Sequence, residues 1–193
     1  MKRGFTLIEL MVALSIFIVV MTISMGSIIS VFDANRKSRS LKTVLNNLNL
    51  AVESMSREIR FGTKYHCDYE DNNPIPIDSP RDCSYDDGGA ESISFLSSDG
   101  VQINYKRDGV PSVDSRIEKK VDNDDDYGWI TVTAPEVIIN KLTFYVLGAE
   151  DVDDDLQPRV VIVIKGYAGA GGKGQSDFTL QTTVSQRALD IDI

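Results

Sequence analysis

A single carboxylate, Glu9, stands at the start of a long apolar stretch of the chain. Residues 10–32 have the sequence LMVALSIFIVVMTISMGSIISVF, with no charged residue and no proline. At about 1.5 Å per residue, a helix of this length spans roughly 35 Å, enough to cross a hydrocarbon core of about 30 Å. An ionised carboxylate close to a membrane interior is costly and needs a partner. Glu9 is therefore the first candidate for a functional residue.

A short basic leader precedes this carboxylate: Lys2 and Arg3, followed by Gly4 and Phe5. A secretory signal peptide also begins with basic residues, but its apolar region is about 7–15 residues long and ends at a small-residue cleavage site. The apolar run here is longer, and no such site follows it. The segment therefore has the character of a membrane anchor with an unusual beginning.

The nonapeptide KRGFTLIEL at residues 2–10 resembles the type IV prepilin signature, which is found in type IV pilins and in the pseudopilins of type II secretion. The resemblance implies that a membrane prepilin peptidase cuts between Gly4 and Phe5 and that Phe5 becomes the N-methylated N-terminus. It also implies that Glu9 is the acid used in assembly. In a bundle of parallel helices, the Phe5 amine of one subunit could be neutralised by Glu9 of a neighbour, because each charge alone is costly in an apolar core.

The charges that flank the apolar run conflict with the orientation that the resemblance implies. In that family the N-terminus is cytoplasmic and the rest of the chain lies outside the bacterial cytoplasmic membrane. Two cations precede the run and four follow it, namely Arg36, Lys37, Arg39 and Lys42. Positive charges are usually retained in the cytoplasm, so their count favours the opposite orientation. We adopt the orientation of the prepilin signature, with a single membrane pass and an extracytoplasmic C-terminal domain.

Helical spacing of apolar residues continues beyond the membrane run. Steps of three and four residues, with one step of a single residue, place a set of apolar side chains on one helix face, namely Leu41, Val44, Leu45, Leu48, Val52, Met55 and Ile59. Gly62 is a suitable residue to end the helix. We predict one helix from about residue 5 to residue 61, in which residues 5–32 form the transmembrane and polymerisation segment. Residues 33–62 form its amphipathic continuation.

The rest of the chain, residues 63–193, is predicted to be a globular extracytoplasmic β domain. Its strand-like runs are residues 92–96, 101–106, 117–121, 129–133, 137–147, 159–167 and 177–188, and residues 65–90 have the composition of a loop. The apolar run VVIVI at residues 160–164 predicts a central strand buried on both faces. Since no helical pattern follows Gly62, we expect an antiparallel sheet, or two small packed sheets, against the helix. The predicted fold class is α+β and pilin-like, behind a leader of residues 1–4.

The only two cysteines, Cys67 and Cys83, bracket a proline-rich loop. In an extracytoplasmic segment such a pair predicts one disulfide, with free thiols as the alternative. Closing a loop of this size is worth about 3 kcal/mol in the entropic model. A zinc site is remote, because His66, the only histidine, is the one imidazole available.

Two acidic clusters contain the D-x-D-x-D spacing of the first three oxygen ligands in a calcium loop. Their aspartates are Asp122, Asp124 and Asp126 in the first cluster, and Asp151, Asp153 and Asp155 in the second. Neither has glycine after its third aspartate or glutamate at position twelve, which excludes an EF-hand. The alternatives that stay open are an irregular calcium site, which some pseudopilins have, and plain solvated loops. No other cofactor is expected.

Other signals argue against catalysis and against nucleic-acid binding. The net charge of −9 opposes a broad basic surface for nucleic acid. The glycine-rich stretch at residues 166–174 lacks the Walker pattern, since Tyr167 stands at the first glycine position and Gly174 follows the lysine. No nucleophile stands with a matching base, so we predict that the protein is not an enzyme.

Residues 54–60 (SMSREIR) and 178–187 (FTLQTTVSQR) resemble minor pilins of the W type and minor pseudopilins of the J type. The resemblance implies a structural subunit that primes or caps a membrane-anchored fibre. Its implied partners are other pilin or pseudopilin subunits, the prepilin peptidase and methylase, the inner-membrane assembly machinery and membrane lipid. The alternatives are a membrane-anchored extracytoplasmic binding domain that does not polymerise and, less favoured, a secreted hydrolase on a signal anchor. Neither alternative needs Glu9 or the junction between Gly4 and Phe5.

Overall fold

The computed structural model of the chain describes Gly4 and residues 6–68, 79–110, 113–122, 128–150, 156–168 and 175–187. The described elements are a long helix followed by antiparallel strands. They are α1 (Leu7–Phe61), β1 (Thr63–Cys67), β2 (Ser92–Leu96), β3 (Gln102–Asp108), β4 (Arg116–Asp122), β5 (Ile130–Thr131), β6 (Val137–Leu147), β7 (Arg159–Ala168) and β8 (Ser176–Ser185). The chain divides into two compact units, Met1–Ser40 and Leu41–Ile193. The α+β class predicted from the sequence is confirmed.

The described part of the first unit is helical from Leu7 onward. Four of its hydroxyl side chains are satisfied within the helix, because each of these four donates to the carbonyl one turn earlier. These bonds run from Ser15 to Met11 (2.9 Å), from Thr22 to Ile18 (2.8 Å), from Ser24 to Val20 (2.8 Å) and from Ser27 to Ile23 (3.3 Å). A polar group that bonds its own helix needs no partner from lipid, so these residues are compatible with the predicted membrane segment.

In the second unit, α1 contributes one face to the hydrophobic core. The side chains of Val44, Leu48, Val52, Met55 and Ile59 are buried there together with residues of both sheets. The predicted stripe is thus confirmed for five of its seven residues, while Leu41 is half-buried and Leu45 is exposed. Burying a Leu, Met or Ile side chain stabilises a fold by about 1.5–3 kcal/mol, so this face anchors the helix to the sheets.

The helix ends at Phe61 for a reason that its sequence only partly reveals. Gly62 donates its N–H to the carbonyl of Ile59 (3.0 Å), as a helix-ending residue does. A side chain at this position would have no room, because a Cβ on Gly62 would lie 2.5 Å from the ring of Phe95. The hydroxyl of Tyr65 lies 2.7 Å from the carbonyl oxygen of Ile59 and satisfies the end of the helix. Close packing against β2 therefore requires the glycine.

The strands form two antiparallel sheets. One has the order β1-β2-β3-β4-β5 and the other β6-β7-β8. The second alternative of the sequence prediction, two small sheets against the helix, is therefore the correct one. β7 is central, as its continuous apolar run predicted. Val160, Val161, Ile162 and Ile164 are buried, and Val163 is half-buried.

Two parts of the strand prediction were wrong. Residues 65–67 were predicted as loop but belong to β1, which pairs with β2 through a bulge. The strand predicted at residues 129–133 shrinks to Ile130–Thr131, since only these two residues pair with β4. Residue 188, the predicted end of the last strand, lies outside the described residues.

Candidate functional site

The start of α1 positions Glu9 through a helix cap. Thr6 immediately precedes the first helical residue, Leu7, and its hydroxyl accepts the N–H of Glu9 at 3.4 Å. The carbonyl of Thr6 accepts the N–H of Leu10 at 3.3 Å. Thr6 is thus the N-cap and Glu9 the third helical residue, the Thr-x-x-Glu spacing of a capping box. The sequence contained this signal at residues 6–9, and our sequence analysis missed it.

The carboxylate of Glu9 is exposed and forms no hydrogen bond or ion pair with a described residue. It lies in the first turn of α1, where the partial positive charge of the helix N-terminus favours a negative side chain. The backbone of Glu9 is held by the cap, while its carboxylate remains available to a group from outside this chain. Gly4 is described and exposed, whereas Phe5 lies outside the described residues.

Beyond Glu9, the surface of α1 is almost entirely apolar as far as Phe32. Every large hydrophobic side chain from Leu7 to Phe32 is at least 54% exposed. None of the residues in the most apolar stretch of this helix is buried. By length and composition, α1 is therefore able to cross a membrane. An exposed apolar surface of this size indicates burial in lipid or against other chains.

Comparison with known proteins agrees with this geometry at the N-terminus. A family model described as the prokaryotic N-terminal methylation motif matches residues 1–25. No curated protein and no solved structure shows significant similarity to the chain. The motif, the capped Glu9 and the apolar helix together support a precursor like those of type IV pilins or pseudopilins.

In the second unit, the predicted disulfide joins Cys67 to Cys83, whose Cα atoms are 6.1 Å apart. Both cysteines are buried, and Cys83 also exchanges two backbone hydrogen bonds with Val146 of β6 (3.0 and 3.1 Å). The neighbouring carboxylate of Asp82 accepts the N–H groups of Gly148 (2.9 Å) and of the following residue (2.8 Å). The disulfide therefore ties the end of β1 to a segment that is itself fixed on β6.

Of the six aspartates predicted as possible calcium ligands, the structure describes Asp122. The other five, Asp124, Asp126, Asp151, Asp153 and Asp155, lie outside the described residues. The carboxylate of Asp122 accepts a hydrogen bond from the amide of Asn104 (2.8 Å) and forms an ion pair with Lys120 (3.2 Å). No cluster of three metal-ligating side chains occurs among the described residues. Calcium binding stays a prediction.

His66 and the described part of the glycine-rich stretch make contacts that belong to the fold of the second unit. The Nδ1 atom of His66 contacts the carbonyl of Ser79, across the segment that the disulfide closes. The first residues of the stretch, Gly166 and Tyr167, are part of β7 and pair with β8. The remainder, residues 169–174, lies outside the described residues.

A polar cluster that the sequence analysis missed joins α1 to the five-stranded sheet. Glu58 accepts the hydroxyl of Tyr105 (2.7 Å) on one carboxylate oxygen and pairs with Lys119 (2.7 Å) on the other. Tyr105 is buried, while about a quarter of the Glu58 and Lys119 side chains is exposed. Burial, and next the negative charge of Glu58, raise the pKa of Tyr105 well above its ordinary value. The cluster fixes the helix against β3 and β4.

Replacing Tyr105 by phenylalanine is expected to lower the free energy of unfolding by about 1.5–3 kcal/mol at neutral pH, the usual worth of a hydrogen bond to a charged group. Because the folded pKa of Tyr105 is raised, the stabilisation is complete below the unfolded value of about 10 and is lost as the pH rises beyond it. Urea unfolding, followed by the fluorescence of the only tryptophan, Trp129, measures both effects. Tyr85→Phe is the matched control, since Tyr85 is 54% exposed. Equal stabilities of the two variants at neutral pH would contradict the prediction.

Proposed function

We propose that the protein is a minor type IV pilin or pseudopilin, a subunit that primes or caps a membrane-anchored fibre. The observation that carries the proposal is the carboxylate of Glu9, which pairs with no described residue and is held by a helix cap beside the predicted cleavage point, at the start of a helix surface that is apolar as far as Phe32. A simple membrane anchor gains nothing from an unpaired carboxylate at this position. A polymer subunit gains a partner for the N-terminal amine of its neighbour.

The proposed maturation and assembly of the protein has three steps. The prepilin peptidase removes residues 1–4 and methylates Phe5. The apolar helix at residues 5–32 then leaves the lipid of the bacterial cytoplasmic membrane and packs in the fibre core, with residues 33–62 as its continuation. Finally, the β domain at residues 63–193 faces the extracytoplasmic side, where its cysteines are oxidised. The proposed partners are the other pilin subunits and the inner-membrane assembly machinery.

The resemblance of residues 54–60 and 178–187 to the W-type minor pilins and J-type minor pseudopilins supports the minor assignment. In the structure these two stretches meet, since Arg187 donates its backbone N–H to the carbonyl of Arg60 (2.8 Å). The guanidinium of Arg187 also lies 5.3 Å from the centre of the Phe61 ring. The C-terminal stretch thus closes onto the end of α1. The alternative function is a membrane-anchored binding domain that does not polymerise.

Mass spectrometry of the protein from membranes that contain the prepilin peptidase is expected to find a chain that lacks residues 1–4 and carries one methyl group on the amine of Phe5. Its length is then 193 − 4 = 189 residues. Loss of Lys2 and Arg3 changes the net charge from −9 to −11. The comparison variant, Gly4→Leu, is expected to remain full-length and unmethylated. An intact Met1 in the wild-type protein would overturn the processing step and, with it, the proposed function.

A further inference from the structure

We propose that Arg36, Lys37 and Arg39 bind the phosphate groups of anionic phospholipids at the membrane surface where the apolar run ends. The inference rests on membrane anchoring of α1 and goes beyond the proposed function, which does not use these residues. All three side chains are exposed in the first unit. Arg36 and Lys37 form no ion pair within the described part of the chain.

The distance of these cations from the apolar run matches the position of lipid headgroups. Phe32 is the last residue of the run and is 65% exposed. At about 1.5 Å per residue, Arg36 lies roughly 6 Å and Arg39 roughly 10 Å beyond it along the helix. The headgroup layer extends about 5–8 Å beyond the hydrocarbon core on each side. Long arginine and lysine side chains also reach back towards that layer.

The charge of this segment favours an anionic surface. Residues 33–40 contain the three cations and one acid, Asp33, a net charge of 3 − 1 = +2. Asp33 is exposed and forms no ion pair with a described residue, although Arg36 and Lys37 lie three and four positions away. Cations next to a membrane span are attracted to anionic lipids within a Debye length, about 8 Å at physiological ionic strength. This attraction gives a function to the three cations in an extracytoplasmic position, although the positive-inside rule would place them on the cytoplasmic side.

Anionic lipid is favoured over an acidic protein surface because the cations lie next to the apolar run on the same helix. The cations follow directly on a helix segment whose apolar side chains are uncovered on every side. Whatever orientation the helix has in a membrane, headgroups surround it at the end of the apolar run. A protein partner would need a separate acidic surface at the same depth, and that partner is an outcome of the test below.

The test uses the full chain in lipid bilayers of phosphatidylcholine with a minor fraction of phosphatidylglycerol. Electron spin resonance compares how strongly spin-labelled phosphatidylglycerol and spin-labelled phosphatidylcholine associate with the protein. The wild type is expected to prefer phosphatidylglycerol by about fivefold at low salt, which is about 1 kcal/mol. The double variant Arg36→Gln/Lys37→Gln should reduce this preference to nearly one, and Asp33→Asn should increase it. High salt should abolish it.

The matched control is Arg57→Gln/Arg60→Gln, which removes two exposed cations from the same helix within the second unit. Its lipid preference should equal that of the wild type. The proposal fails if Arg36→Gln/Lys37→Gln retains the wild-type preference, or if that variant loses partner subunits while its lipid preference is unchanged, which would indicate a protein partner. Failure of the protein to reconstitute into bilayers would instead refute the membrane anchoring on which the inference rests.

Discussion

The double variant Cys67→Ala/Cys83→Ala is expected to have a free energy of unfolding about 3 kcal/mol lower than that of the wild type. The disulfide closes a loop and so lowers the conformational entropy of the unfolded chain, which for a loop between these two cysteines is worth about that much. The two cysteines are 16 residues apart in sequence. Both are buried, so their replacement also removes packing from the core of the second unit. A loss of this size is a large part of the total stability of a domain, which is about 5–15 kcal/mol.

Urea unfolding of the full chain in detergent, followed by Trp129 fluorescence, measures this loss. The wild type should fall towards the stability of the double variant once it is reduced under denaturing conditions and refolded with a reductant. A matched control is Asp82→Ala, which removes the hydrogen bonds to Gly148 and the next residue but leaves the disulfide in place. This variant should remain sensitive to the reductant, whereas the double variant should not. An undiminished stability of the double variant would show that the disulfide does not hold β1 in place.

The long-range elements of the fold were predictable where the sequence pattern is itself long. The helical stripe from Val44 to Ile59 repeats its spacing over several turns, and the apolar run of β7 is continuous; the structure buries most residues of both. β1 was missed because its sequence, TKYHC, has no apolar run and precedes a stretch rich in aspartate and proline. Its pairing with β2 depends on residues that are distant in the sequence.

The polar contacts of the second unit could not be predicted either, because the residues that form them are also distant in the sequence. Glu58 meets Tyr105 and Lys119, which are 47 and 61 positions away, and nothing in the local sequence connects them. Gly62 was predicted to end the helix, but its requirement comes from the Phe95 ring of another strand. The N-terminal site differs, because Thr6 and Glu9 are three residues apart and act locally. The cap at the N-terminus could therefore have been recognised from a short motif, whereas the polar contacts of the second unit become visible only in the folded structure.

Replacing Glu9 by leucine is expected to leave membrane insertion, cleavage and the fold of the second unit intact while preventing co-assembly with partner pilins. In an apolar fibre core, loss of the carboxylate leaves the amine of a neighbouring Phe5 unpaired, a cost of about 3–5 kcal/mol per contact. On an anchor that does not polymerise, the same change removes a charge that is costly in lipid, about 2.5–3.5 kcal/mol on insertion scales, and should favour insertion. The two functions therefore predict opposite consequences of one substitution.

The capping geometry at Thr6 allows the charge of Glu9 to be tested separately from its role in the helix. Glu9→Gln keeps a side chain suited to a capping box but removes the charge, whereas Thr6→Ala removes the cap hydroxyl, at a cost of about 1 kcal/mol, and keeps the carboxylate. If the carboxylate neutralises a neighbouring amine, Glu9→Gln should fail to co-purify with the other subunits almost as completely as Glu9→Leu, and Thr6→Ala should assemble. Asp33→Asn, which removes an acid beyond the apolar run, should assemble like the wild type. Wild-type co-purification and fibre counts for Glu9→Leu would refute the pilin mechanism even if Phe5 were found methylated. Assembly would then not need a carboxylate to neutralise the neighbouring amine.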